Sequence, residues 1–372
     1  MKADTDLSVP LVDLGYQHRL IADDLAREWQ DIIDSNGFIG GSLVTRFEDA
    51  FARSCDVPHC IGVANGTDAI ELCLRAAGVG PGDEVILPTN SFVATAFAAI
   101  RSGAHPVLVD VDDLTLLVDP DDVARVVSEK TRAVIPVHLF GQLAPVELVK
   151  EVIGPHITMI EDAAQAQGAT RFGQAAGSFG EAAAMSFYPS KNLGAYGDAG
   201  CVLTRSAEFA RRVRELRNHG GESKNVHTSV GFNSRLDPLQ AAVLVTKLRH
   251  LVQWNEERRA AAALYDELLE PYPEVRHVPT LTENEHVWYV YVVRVNDRDA
   301  VLDKLNRSGI GAAVHYPTPI HLLEPFKALG YCEGDLPTAE AAANEVLSLP
   351  LSPGITAQQQ QRVVAELARC LV

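Results

Sequence analysis

The chain has 372 residues, 47% hydrophobic and 22% charged, a balance that supports a large domain plus a smaller one and excludes a disordered or membrane-embedded polypeptide. A formal net charge of −17 argues against broad attraction to nucleic acid or an anionic membrane, so a phosphate-bearing ligand has to meet locally placed donors. The longest apolar runs, such as Ala94 to Ile100, fall well short of the roughly 20 residues that cross a bilayer, and the acidic start MKADTDLSVPLVDL lacks the basic and apolar regions of a signal peptide, which points to the cytoplasm.

From about residue 60 to residue 205, short β-rich apolar runs alternate with helical patterns, the signature of a mainly parallel sheet covered by helices. The runs are CIGVA, EVILP, PVLVDV, AVIPVHLF, TMIED, AAAMSFY and GCVLT, and amphipathic stretches begin at Thr67, Ser91, Pro120 and Pro145. Seven such strands predict a large α/β domain over residues 1–236, N-terminal arm included. Residues 237–270 repeat apolar positions every three or four and predict one long connecting helix. Beyond it, VWYVYVVRV, a helix near Asp299 to Ser308, AAVHYP and a closing helix from Thr356 predict a smaller α+β domain over 271–372. The six cysteines (Cys55, Cys60, Cys73, Cys201, Cys332, Cys370) form no CxxC pair and read as reduced packing residues, with no metal site expected.

In open α/β sheets ligands gather at the carboxyl ends of strands, so polar residues just after each apolar run are the candidates. After the first run, Gly66 permits close backbone approach, Thr67 adds a hydroxyl, and the helix that opens here offers free amides to a phosphate. Read alone, such a Gly-Thr pair is more often a plain helix cap. After TMI, Asp162 is placed to pair with a pyridinium nitrogen and keep that ring an electron sink, although an acid beside a second acid is usually solvated or capping. In MSFYPSKNLG, Lys191 occupies a turn behind a buried strand, an odd place for a merely solvated charge; near a cationic ring its amine can lose a proton and attack an aldehyde. The glycines of GAYGDAG are spaced GxxGxxG and precede a strand, and GVGPG at 78–82 also fails the dinucleotide fingerprint, which disfavours a nicotinamide-dependent oxidoreductase. In GFNSRLD, Asp237 reads as a cap with Pro238 at the first helical position, leaving Asn233 and Arg235 as donors to anions.

In this order, the segments NGTDAIEL, PGDEVILPTNSFVATAFAA, EDAAQAQGA, SFYPSKNLGAYGDAG, GFNSRLDPLQAAVL and VHYPTPIH resemble the DegT-like nucleotide-sugar aminotransferases, pyridoxal phosphate enzymes of the aspartate aminotransferase fold (fold type I). The resemblance runs from about Val9 to the last helix. It implies that Gly66 and Thr67 bind the cofactor phosphate with Ser186, that Phe92 stacks on the pyridine ring, and that Asp162 pairs with the ring nitrogen. Phe92 would serve equally as a core aromatic. Gln165 would hydrogen-bond the ring hydroxyl, and Lys191 would be the Schiff-base lysine and proton carrier.

The resemblance further implies a homodimer with shared active sites. Asn233 would reach the neighbour's cofactor phosphate, Lys224 would lie near the sugar-nucleotide pyrophosphate, and Tyr188, His315 and Tyr316 would face the substrate. The implied reaction moves an amino group, from glutamate as in the family, to the ketone of a nucleotide-linked (dTDP) keto-6-deoxyhexose. The segment FYPSKNLGAYGDAG is closer to members that aminate C3 than to C4 enzymes. Lysine at 191, where dehydrating relatives carry histidine, supports transamination, and Ala199 stands where many members have glycine. Three alternatives stay open: a C4 sugar aminotransferase, a keto-inositol aminotransferase, and a non-catalytic regulator, the last opposed by retention of Lys191, Asp162 and Gln165.

Overall fold

A computed structural model describes residues 8–223 and 225–371. All seven expected runs form strands of one sheet: β1 (His59–Val63), β2 (Glu84–Pro88), β3 (His105–Val109), β4 (Thr131–Val134), β5 (Thr158–Asp162), β6 (Ala182–Ser186) and β7 (Gly200–Thr204). Their spatial order is β1, β7, β6, β5, β4, β2, β3, and only β7 runs against its neighbours. The parallel strands are almost wholly buried, as expected where helices cover both faces.

Because the crossovers return each chain segment to the same edge, the last residues of β1, β2, β5 and β6 meet along one rim. Register brings Val63 and Ser186 each opposite Gly200, at the start of β7, and Asp162 opposite Ala184. Two helices, α1 (Leu14–Ser35) and α2 (Ser42–Ser54), precede β1; the next, α3 (Gly66–Ala76), leaves β1 at that rim, and its apolar residues Ala69, Ile70, Leu72, Cys73 and Leu74 are buried in the core above the sheet.

The stretch expected as one long helix is two, Pro238–Leu248 and Leu251–Leu269, with Arg249 and His250 between them. The physical reason is divided packing. The first helix buries Ala241, Leu244 and Val245 in the core that also holds Met185 and Leu193, whereas the second carries Ala262, Tyr265 and Leu269 into a separate core with Tyr291, Val293, Leu347 and Leu367. One straight rod cannot present its apolar stripe to both.

That second core lies under a three-stranded antiparallel sheet of Arg276–His277, Tyr291–Arg294 and Val346–Leu349. The N-terminal segment packs there: Val9 N–H donates to Gly309 (2.9 Å) and Gly311 N–H donates to Val9 (2.7 Å). Four cysteines are buried, Cys370 is partly covered, and Cys332 is exposed, so packing accounts for most of them but not for Cys332. Among the described residues no helix is long and apolar enough to cross a membrane.

Candidate active site

A cavity of about 430 Å³ opens at the rim where the strand ends meet. Ten of the twelve residues singled out from the sequence line it: Gly66, Thr67, Phe92, Asp162, Gln165, Ser186, Tyr188, Lys191, His315 and Tyr316. Asn233 does not; it is exposed in a loop whose backbone bridges Asn218. Lys224 lies outside the described residues.

The phosphate side of the cavity is the N-terminus of α3. Its cap is Asn65, whose side chain accepts from Asp68 N–H at 2.8 Å, so the hydroxyl of Thr67 is not consumed in capping and the Gly66 and Thr67 amides stay available to an anion. Gly66 is required by proximity: a Cβ there would lie 2.7 Å from Cβ of Ser186. That closeness sets Ser186 Oγ beside the helix terminus and makes a compact cradle from two elements.

Strand alternation separates the two acids at the end of β5. Asp162 faces the cavity, where Thr95 Oγ1 donates to Oδ2 (2.7 Å) and the Ala164 amide to Oδ1 (3.2 Å). Burial raises its pKa, and the Thr95 and Ala164 hydrogen bonds, together with the charge of Lys191, only partly oppose this. A buried carboxyl in that condition is a receptor for a cation. Gln165 is buried with both ends used: Oε1 accepts from Phe140 N–H (2.7 Å) and Nε2 donates to Tyr316 Oη (3.1 Å).

Lys191 projects from a tight turn after β6. The turn passes so close to itself that a Cβ on Gly194 would sit 2.2 Å from the carbonyl oxygen of Pro189. Asn192 Nδ2 pins it by donating to Asn255 Oδ1 (2.8 Å) and Val287 O (2.7 Å), and the buried Lys247 ammonium donates to Gly194 O (2.7 Å). Burial pulls the Lys247 amine down to about 8.

Phe92 is 52% exposed, its ring centroid 5.7 Å from that of Tyr316, so it is a platform on the cavity wall and not the core aromatic that its apolar helix allowed. Tyr188 is exposed at the mouth. His315 Nδ1 is 2.8 Å from Ser348 Oγ, and burial, aided by the Lys191 charge, lowers its pKa to about 4, which keeps the ring neutral near pH 7.

Three participants escaped the sequence reading. Thr95 holds Asp162 across 67 residues, and Ser234 ties the Asn233 loop to α3 by donating to Asp68 Oδ2 at 2.8 Å. Tyr289 lines the cavity with its ring 4.0 Å from Lys191 Nζ. Only the local pattern VWYVYV marked Tyr289, as part of a strand.

The donor set suits pyridoxal phosphate part by part. A helix terminus with two hydroxyls fits its phosphate, a buried anion its ring nitrogen, an amide its ring hydroxyl, an exposed aromatic its ring face, and an amine its aldehyde.

A model of the DegT/DnrJ/EryC1/StrS aminotransferase family matches residues 20–368. The chain is 44% identical to a pleiotropic regulatory protein of Geobacillus stearothermophilus, over 97% of this chain and 98% of that one. It is 40% identical to the dTDP-3-amino-3,4,6-trideoxy-alpha-D-glucose transaminase of Streptomyces venezuelae, over 96% of this chain and 94% of that one. The structure of S. venezuelae DesV in complex with a ketimine intermediate matches with a TM-score of 0.95 at 39% identity, covering 97% of this chain and 98% of that one.

Proposed function

This chain belongs to the DegT/DnrJ/EryC1/StrS aminotransferase family and is a pyridoxal phosphate-dependent aminotransferase of nucleotide-sugar chemistry, and from that premise we propose that it moves an amino group from glutamate to C3 of a dTDP-linked keto-6-deoxyhexose. The observation that carries the reading is that Lys191 and Asp162, from the ends of adjacent strands β6 and β5, flank one cavity closed by the N-terminus of α3. The dTDP-3-amino sugar named for the S. venezuelae relative supports C3 and dTDP.

When bound, the cofactor supplies an electron sink for the bonds made and broken at the amine-bearing carbon. The amides of Gly66 and Thr67, with the hydroxyls of Thr67 and Ser186, hold the phosphate. Phe92 would offer its exposed ring to the pyridine face, and Gln165, fixed by Phe140 and Tyr316, would present its remaining Nε2 proton to the ring hydroxyl. Asp162 holds a proton on the ring nitrogen, which the oxygen of Thr95 cannot do because it is neutral. Lys191 would anchor the cofactor between turnovers; with its amine free and uncharged, Nζ would take the proton from Cα of the amino donor and later deliver one to the sugar carbon that receives nitrogen. Tyr188, His315 and Tyr316 face the sugar.

Asn233 is exposed and does not line its own chain's cavity, which is compatible with a homodimer in which it reaches the cofactor phosphate of the second copy. Lys224 would meet the pyrophosphate of the sugar nucleotide from that neighbour.

The test is borohydride reduction of the purified yellow protein, followed by peptide mapping and by identification of the amino sugar made from 3-keto and 4-keto dTDP-6-deoxyhexoses with glutamate. The expected result is cofactor fixed on Lys191 and nitrogen at C3. Colourless protein that takes up no pyridoxal phosphate would sink the enzyme reading in favour of a regulator. Nitrogen at C4, or turnover of a keto-inositol alone, would move the acceptor.

A further inference from the structure

Lys191 has two tasks, and once released from the first its half-buried amine has to take up a proton, carry it as an ammonium and give one back. Among the described residues no carboxylate makes an ion pair with it, and both oxygens of Asp162 are already engaged by Thr95 and Ala164. What lies against Nζ is the ring of Tyr289, 4.0 Å from nitrogen to centroid. We propose that Tyr289 stations Lys191 whenever its amine is not covalently engaged, the ring face and the phenol oxygen together holding Nζ on the cavity wall where protons have to be moved.

Tyr289 is built to stay put. Its amide donates to Phe140 O at 2.9 Å, the same residue whose amide orients Gln165. Buried Arg258 Nη1 donates to Trp288 O (3.0 Å) and Tyr289 O (3.3 Å), and Asn192, next to Lys191, donates to Val287 O. The phenol oxygen is 3.3 Å from Ser190 Oγ, the residue on the other side of Lys191. Tyr289 and the lysine turn are thus stitched to each other at both flanks of Lys191.

The electrostatics agree with that placement. An aromatic face attracts an ammonium more strongly when water is excluded, and Tyr289 is buried. Burial alone would raise the phenol's pKa, but the charge of Lys191, hydrogen bonds from Ser190 and Lys191, and the charge of Arg258 outweigh it and lower the pKa. The other ionisable groups facing the pair are Asp162, neutral His315 and Tyr316, with Asp198 on the same cavity wall. Tyr289 gives up no proton in this role; it is a positioning residue that acts through Lys191.

The proposal rests on the catalytic reading of Lys191, and the experiment separates the two. Full-length, cofactor-free protein is reductively methylated over a range of pH, and modification of Lys191 is followed by peptide mass spectrometry in wild type, Y289F and Y289L. Removing the oxygen, then the ring, takes away partners of the ammonium, so the midpoint should fall by about 0.5 pH unit in Y289F and about 1 unit in Y289L. In the holoenzyme kcat should fall about tenfold in Y289L with the basic-side limb of its pH profile displaced, while KM for glutamate stays within about twofold. A Y289L midpoint within about 0.2 unit of wild type, or above it, overturns the proposal. Should Y289L not fold, Y289F decides by the same criterion. Borohydride trapping of the wild type reports separately on cofactor attachment, so failure there strikes the catalytic reading alone.

Discussion

At the end of β5 the sheet has a packed face and a cavity face, and adjacent carboxylates meet opposite conditions on them. Glu161 turns into the packed side and accepts from the amides of Gly177 (2.8 Å), Phe179 (2.8 Å) and Gly180 (2.7 Å) and from His138 Nε2 (2.9 Å). His138 is held as the Nε2–H tautomer, because its Nδ1 accepts from Ala144 N–H at 3.2 Å. Burial works to raise the Glu161 pKa, but the hydrogen bonds from His138 and from the Gly180 and Gly177 amides outweigh it and lower it. Asp162, equally buried, has two donors and a raised pKa. Depth of burial is therefore no guide to purpose. A carboxylate whose lone pairs are satisfied is structure, and one left short is a receptor.

Four changes test that contrast. The largest effect should come from Lys191→Ala on the cavity face. Transaminase turnover should drop by about 10³-fold or more and borohydride should fix no cofactor, while the thermal melting curve of the cofactor-free chain stays in place.

Asp162→Asn should cost about 10²-fold in kcat, read by steady-state assay, because an amide cannot keep the ring nitrogen protonated. Its stability effect should have the opposite sign. A folded carboxyl pKa above the unfolded value of about 3.9 means that stability falls as pH climbs through the folded value. The cofactor-free variant should thus melt higher than wild type at pH 7, and the holoenzyme lower.

Glu161→Gln should reverse the pattern. Here the folded pKa is depressed, so its stabilisation is present above the unfolded value of about 4.3 and lost as pH falls through the folded one. The variant should lose about 2 to 3 kcal/mol by urea unfolding at pH 7 and show a flatter acid limb, with cofactor still trapped on Lys191. Intact stability with lost trapping would break the comparison.

The smallest effect should be that of Thr95→Val, which removes one donor from Asp162. Cofactor affinity measured by spectrophotometric titration should weaken about fivefold, the worth of roughly 1 kcal/mol.

Much of this was legible in the chain. Each strand of the sheet was marked by a short apolar run bounded by turn residues, and Asp162, Lys191, Gly66 and Thr67 were marked by standing just after such runs. Those signals are local, so one segment at a time sufficed. The break at Arg249 and His250 was not legible, because the apolar period continues through it and only the two separate cores call for two helix directions. Phe92 was ambiguous for the same reason: its neighbours are apolar, and whether a ring beside them faces core or cavity depends on what packs opposite.

The amino-acid sequence by itself determined the alternation of strands and helices, the rim on which the strand-end residues gather, and the chemical types assembled there. Only the tertiary structure decided which of two neighbouring acids is left short of donors, that Thr95 supports Asp162, and that Tyr289 lies against Lys191 although 98 positions along the chain separate them. The reason is physical. Backbone propensity and side-chain period are set within a few residues, whereas the proton affinity and orientation of a buried group are set by whatever the fold brings within about 4 Å of it.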